Sequence, residues 1–201
     1  MKNLKAILLK YKITIIIVFA IFFGFTIRLL TPTPSPQPSP IYPSHLTTYP
    51  DIIPGSTHID QLTAKYGQPL PDSSPYVATT SSQSHYFPSA VDHLPTEVIT
   101  SLNGTITIVK EKYTPETTHG NIKQYLDYYG PPDLELFGPW YRSGHTSYVW
   151  LKQGLIVIAN PRLNSSNIMQ IWRTTPLTET DFFNRFGDQF FTTEPTGPQE
   201  Y

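Results

Sequence analysis

The chain contains no cysteine. That excludes disulfides, thiolate zinc sites, a cysteine nucleophile and a lipid-modified cysteine, so any folded domain is held by its core alone. Acidic residues are absent before Asp51, and five of the fourteen Lys and Arg residues lie before position 31. The rest of the chain therefore carries nine cations against fifteen anions, a net −6 that the whole-chain value of −1 conceals. An acidic domain without a Lys/Arg cluster is a poor match for nucleic acid or anionic lipid heads. Catalytic motifs are missing too: there is no His-Glu-x-x-His pair, no phosphate-cradling glycine loop and no nucleophile elbow. The expectation is a protein that is not an enzyme and holds no cofactor or metal.

Charge is also absent from a long apolar run, Ile13 to Ile27, which follows Lys2, Lys5, Lys10 and Lys12. A helix from Tyr11 to Leu30 would be roughly 30 Å long, enough to cross a bilayer, with Lys12 and Arg28 reaching the headgroups. The lysine excess places the N-terminus in the cytoplasm and the remainder outside it. The end of the run, Phe22-Phe23-Gly24-Phe25, is too bulky for signal-peptide cleavage, so an uncleaved anchor is expected. Residues 1–30 are thus read as cytoplasmic stub and transmembrane anchor. A disulfide-free domain outside the membrane further suggests a bacterial source. Proline at nearly every second position from Thr31 to Pro43 fixes φ and removes donors. Residues 31–50 are accordingly read as an extended spacer, the proline ladder alone spanning roughly 40 Å.

Three segments beyond the spacer align without gaps: His58–Gly67, Asn121–Gly130 and Thr178–Gly187. Leu62, Tyr125 and Phe182 share one position, and Tyr66, Tyr129 and Phe186 another, just before the glycine. This is helical spacing closed by a C-terminal glycine cap. Ser56 or Thr57, and Thr178 with Asp181, supply the N-terminal capping chemistry. Strands are expected at Thr96–Leu102 and Thr105–Tyr113, joined by a type I′ Asn103-Gly104 turn. Ser147–Lys152 and Leu155–Asn160 form a second hairpin through Gln153-Gly154, with Asn167–Thr174 as a third strand. His85–Phe87 is its weaker counterpart in the first unit.

The expected fold class is α+β: tandem α-β-β-β repeats forming one antiparallel sheet with the helices on one face. The domain covers 51–191, with units 51–115 and 116–176 and a closing helix 177–187. Residues 192–201 are polar, with Pro195, Gly197 and Pro198, and read as a mobile tail.

Pro54-Gly55-Ser56-Thr57, a short helix and then Tyr66-Gly67-Gln68-Pro69 resemble the unit opening of the small outer-membrane-assembly lipoproteins and β-lactamase-inhibitor-like folds. The resemblance covers about fifteen residues of the first unit and, more loosely, Asn121–Pro132 and Thr178–Gly187. The chain departs from that pattern by one extra residue between Thr57 and Gly67, by having no lipidated cysteine, and by its anchor. The resemblance implies a two-layer α/β fold used to hold other proteins, without the family's outer-membrane role.

Among candidate site residues, His85 with Asp92 and His93 is the only histidine cluster, and its irregular spacing reads as solvated loop rather than metal site. His145, beside Arg142 and Ser143, has no third group to orient it for acid–base work. Asp133 and Glu135 likewise read as a solvated loop. The segment Leu134–Tyr148 carries Phe137, Trp140, Tyr141, Arg142 and Tyr148 beside Gly138-Pro139 and Gly144. Aromatic and Arg side chains on such a loop suit a partner-binding surface, the alternative being that the rings pack inward. The expected function is a membrane-anchored, extracytoplasmic, non-catalytic module that binds an envelope protein or peptide. The alternative is a cell-wall glycan-binding domain.

Overall fold

The computed structural model describes residues 46–71, 82–89, 94–114, 120–138, 141–162 and 168–194. The expected membrane helix, the proline ladder and residues 195–201 lie outside the described residues. No helix among the described residues is long and apolar enough to cross a membrane.

Among the described residues, three helices and seven strands follow one another: α1 (Ile59–Tyr66), β1 (Ser82–Phe87), β2 (Thr96–Ser101), β3 (Ile106–Lys112), α2 (Ile122–Tyr129), β4 (Leu134–Leu136), β5 (Thr146–Trp150), β6 (Leu155–Ala159), β7 (Ile168–Thr174) and α3 (Glu179–Phe186), with β4 a fourth strand in the second unit where three were expected. The strands form one antiparallel sheet in the order β1-β2-β3-β7-β6-β5-β4. It is an α+β fold. Two meanders meet at the centre through their last strands, β3 and β7, with Lys110 opposite Trp172.

Each helix starts with a reciprocal cap. The α1 cap is His58, whose backbone is extended and whose ring Nδ1 accepts the Asp60 N–H, while Gln61 Oε1 accepts the His58 N–H. Thr57, expected in that role, instead accepts the Ile53 N–H at 2.9 Å. Asn121 and Thr178 cap the other two helices. The first turn also differs from expectation. Gly104 N–H closes on Ser101 O at 3.0 Å, so Leu102 and Asn103 are the central pair and Gly104, at φ 80°, follows them. That is a three-residue loop with a glycine bulge rather than a type I′ turn.

Strand alternation divides the core between two faces. Tyr148, Trp150, Leu155, Val157 and Ile171 face α2, meeting Ile122 and Tyr125. Val149, Ile156, Ile158 and Trp172 face the other way, meeting Phe182 and Phe186 of α3 and Phe190 beyond it. Leu62 of α1 covers Val98, Ile106 and Val109 on the α2 side. The helices therefore do not share one face: α3 packs opposite α1 and α2. The physical reason lies in β6, Leu155-Ile-Val-Ile-Ala159, which is buried at every position and so requires cover on both sides.

The domain also begins earlier than expected. Leu46 and Tyr49, assigned by sequence to the spacer, are buried, as is Ile52. Residues 46–53 lie along the sheet as a strap held by one polar network. Arg173 Nη1 donates to Tyr49 O at 2.8 Å and to Ile52 O at 3.0 Å, and Nη2 lies 3.4 Å from Glu111 Oε1. Glu111 also accepts from Thr47 Oγ1 at 2.8 Å and from the Tyr113 hydroxyl at 2.7 Å. The Tyr125 hydroxyl, from α2, donates to Leu46 O at 2.7 Å. The side chains of Arg173 and Glu111 are each 1% exposed, so neither charge can turn to water if its partner is lost.

Burial, and then the Glu111 charge, push the Tyr49 hydroxyl up to about 12 and the Tyr113 and Tyr125 hydroxyls higher still. Raised phenol values mean that the folded state favours the neutral form. That stabilisation is complete below the ordinary value of 10.0 and is lost as pH rises through the folded values. Alkaline titration should therefore show these phenols ionising together with loss of the near-ultraviolet circular dichroism; ionisation with the fold intact would refute the assignment. Glu111→Leu leaves Arg173 buried without its carboxylate and should cost about 3–5 kcal/mol in urea unfolding.

Candidate functional site

The aromatic segment expected to meet a partner is divided by the fold. Tyr148 lies in β5, opposite Glu135 of β4, and points to the α2 side of the core with Trp150. It is buried, and burial followed by the Glu135 charge raises its hydroxyl pKa. Tyr141, in a short 3-10 turn, is buried as well; its ring meets Phe137 edge-on at 6.1 Å. Arg142 is exposed, with Nε donating to the Tyr141 hydroxyl at 3.0 Å. Phe137 is partly exposed, and its backbone pairs with Phe191 to close the β4 edge. Trp140 lies outside the described residues. Of the candidates among the described residues, Phe137 and Arg142 offer surface, and Tyr148 is a core residue because it lies two positions from Trp150 in β5 and so shares its face.

The remaining polar candidates serve the fold. Asp133 Oδ2 accepts the Leu151 N–H at 2.7 Å, which pins the loop after β5, while the residue stays exposed. His85 Nε2 lies 3.2 Å from Thr100 Oγ1, and burial lowers its pKa, favouring the neutral ring. Asp92 and His93 lie outside the described residues. Among the described residues no three His, Asp or Glu side chains gather as a metal site.

Two clefts remain. The first, about 360 Å³, lies between the strap and α1. Its ionic groups satisfy each other: Lys65 pairs with Asp51, and the Tyr66 hydroxyl donates to Asp51 Oδ2 at 3.0 Å. Those hydrogen bonds, Lys65 first, hold the Asp51 carboxyl below its usual value.

The second cleft is larger, about 500 Å³, and lies on the α3 side of the first meander. It exists because α3 covers β5–β7 and reaches only as far as Ile108 and Ile99. The outward residues of β1 and β2 beyond that line, Ser82, Ser84, Glu97 and Ser101, stay partly exposed. The groove floor is Ile99, Ile108 and Phe186; its rim carries Lys110, Arg185 and Gln189. Lys110 is already engaged: its Nζ lies 3.3 Å from Glu97 Oε2 and 4.6 Å above the Trp172 ring. Arg185 extends over Phe186, 5.3 Å from its ring, and among the described residues no carboxylate pairs with it. The residue as a whole is exposed, yet its head group is sheltered enough for burial to lower its pKa.

Sequence reasoning passed over these groove residues. Their alternation in β2 and β3 was readable, but which outward face lacked a helix depended on where α3 docks.

No family model matches the chain. No curated protein matches it either. A solved structure of a DUF4309 family protein (YjgB) from Bacillus subtilis subsp. subtilis str. 168 is similar at 10% identity, covering 62% of this chain and 82% of that one, with a TM-score of 0.43. That likeness is too low to assign function.

Burial separates the two kinds of aromatic-loop residue experimentally. Tyr148→Ala should destabilise the domain by about 3–5 kcal/mol, as expected for removing a core ring. Arg142→Ala should stay within about 0.5 kcal/mol of wild type. Thermal and urea unfolding of the two variants would check both values.

Proposed function

We propose that this protein is a membrane-anchored, extracytoplasmic, non-catalytic module that binds a segment of another protein. Residues 11–30 would hold it in the membrane, and the proline ladder would carry the domain away from the surface. The observation that carries the reading is the groove between α3 and the outer face of β1–β3. Its floor is apolar, its rim polar and cationic, and it is open along one side, a form suited to a short stretch of polypeptide. An origin by duplication fits the same picture: each meander follows a helix with a reciprocal cap, and the two pair through their final strands.

Binding of cell-wall glycan is the less favoured reading. Sugar rings stack on exposed aromatic faces, whereas Phe186, the one ring in this groove, is 3% exposed.

The test is a photo-crosslinking amino acid placed at Ser82 or Thr107 of the full-length protein in native membranes. Discrete protein adducts are expected at both positions, lost when Ser101→Trp fills the groove. Adducts unaffected by that substitution, or labelled polysaccharide in place of protein, would overturn the reading.

A further inference from the structure

The groove has a chemical preference written in its charges. Of its two cations, Lys110 is already neutralised by Glu97 and seated on Trp172, so it offers little to an incoming anion. Arg185 is different. It lines the groove wall, rests on Phe186, and has no carboxylate partner among the described residues. A guanidinium is matched by a carboxylate, which it can grip with two parallel hydrogen bonds. Beside it, Ile99 is only partly buried, with Ile108 beneath, so an apolar side chain could cover both. Gln189 stands along the same wall; the hydroxyls of Ser101 and Thr107 donate to Thr105 O and Ile99 O, so their oxygens are left to accept from a backbone N–H.

We infer that the groove takes an acidic segment of a partner protein, one carboxylate on Arg185 and a neighbouring apolar side chain over Ile99 and Ile108. The inference rests on the peptide-binding reading above and names the partner's chemistry. A polyanion such as nucleic acid is the wrong match. One available cation in a domain of net −6 cannot offset the cost of approaching a row of phosphates. A single carboxylate beside an apolar group needs only the one cation present. The lowered pKa of Arg185 agrees with this, because a partly desolvated cation gains from an anion that water no longer screens.

The test is panning of a phage-displayed random dodecapeptide library on the full-length protein in nanodiscs, against empty nanodiscs. Recovered peptides would then be measured on wild type, Arg185→Gln, Arg185→Glu and Ser101→Trp. Because Arg185 lies at an exposed helix position, both Arg185 variants should keep the wild-type circular dichroism, with the melting temperature falling by only a few degrees as the contact with Phe186 and the cation of the last turn are lost. The expected result is enrichment of Asp or Glu next to Leu, Ile or Phe, with affinity falling roughly tenfold in Arg185→Gln and further in Arg185→Glu. The affinity should also weaken as salt rises. Peptides that bind and are blocked by Ser101→Trp, yet lack acidic residues or ignore Arg185→Gln, would overturn the acidic-segment inference and leave peptide binding standing. Failure to enrich any peptide over empty nanodiscs would overturn both.

Discussion

The buried contact between Arg173 and Glu111 is the constraint around which the rest of this domain is arranged. The two residues come from β7 and β3, the last strands of the two meanders, where the halves of the sheet meet. Arg173 Nη1 donates to the backbone carbonyls of Tyr49 and Ile52, so a single guanidinium ties three parts of the chain together. Two charges taken fully out of water gain little net stability over an apolar pair, but leaving either one alone is expensive. The pair therefore acts through the alternatives it penalises: a slipped β3–β7 register, or a strap lifted from the sheet, strands a charge in the core.

That arrangement has a directional consequence. The strap enters on the side of the sheet carrying α1 and α2, where Tyr49 and Ile52 pack with Leu62. Together they close this face along both meanders. Among the described residues, the opposite face is covered by α3 and the Phe190 turn, which seal the second meander and stop at β3. The sheet is therefore covered twice at one end and once at the other. The groove is the step between these two regimes, and an antiparallel sheet tolerates it because one of its faces can be polar. Glu97, Lys110 and Ser84 show how that face is made compatible with water, through a half-buried ion pair and a hydroxyl bonded to the same carboxylate.

Much of the fold was legible residue by residue. The shared spacing of Leu62, Tyr125 and Phe182 and of the following rings located all three helices to within a residue or two. The turn residues around Gly104 and Gly154 separated the strands of both hairpins. Local rules sufficed there because a helix cap, a turn glycine or a period-two alternation acts over a few residues. The errors share another character. Tyr148 was placed on a binding loop because Gly138 and Gly144 surround a dense aromatic run. Yet it also falls in the expected strand Ser147–Lys152, where its parity with Trp150 makes it a core residue. Leu46 and Tyr49 follow a proline ladder and read as spacer, although a carboxylate and a guanidinium far along the chain bury that segment.

By itself, then, the sequence determined the three helices, the strands other than β4 and the first half of β1, the apolar faces, and an expectation of a membrane anchor and stalk before an acidic, cysteine-free domain. Capping, alternation and composition are local or additive properties, so they survive without knowledge of the fold. The strand order, the side of the sheet taken by α3, the burial of the strap and the position of the groove were decided by tertiary structure alone. Each depends on which distant surfaces share the cost of excluding water. The apolar run Leu155–Ala159 states that both faces of β6 need cover. It does not state that Phe182 and Phe186 will supply it on one face and Tyr125 on the other, leaving Arg185 beside an open sheet.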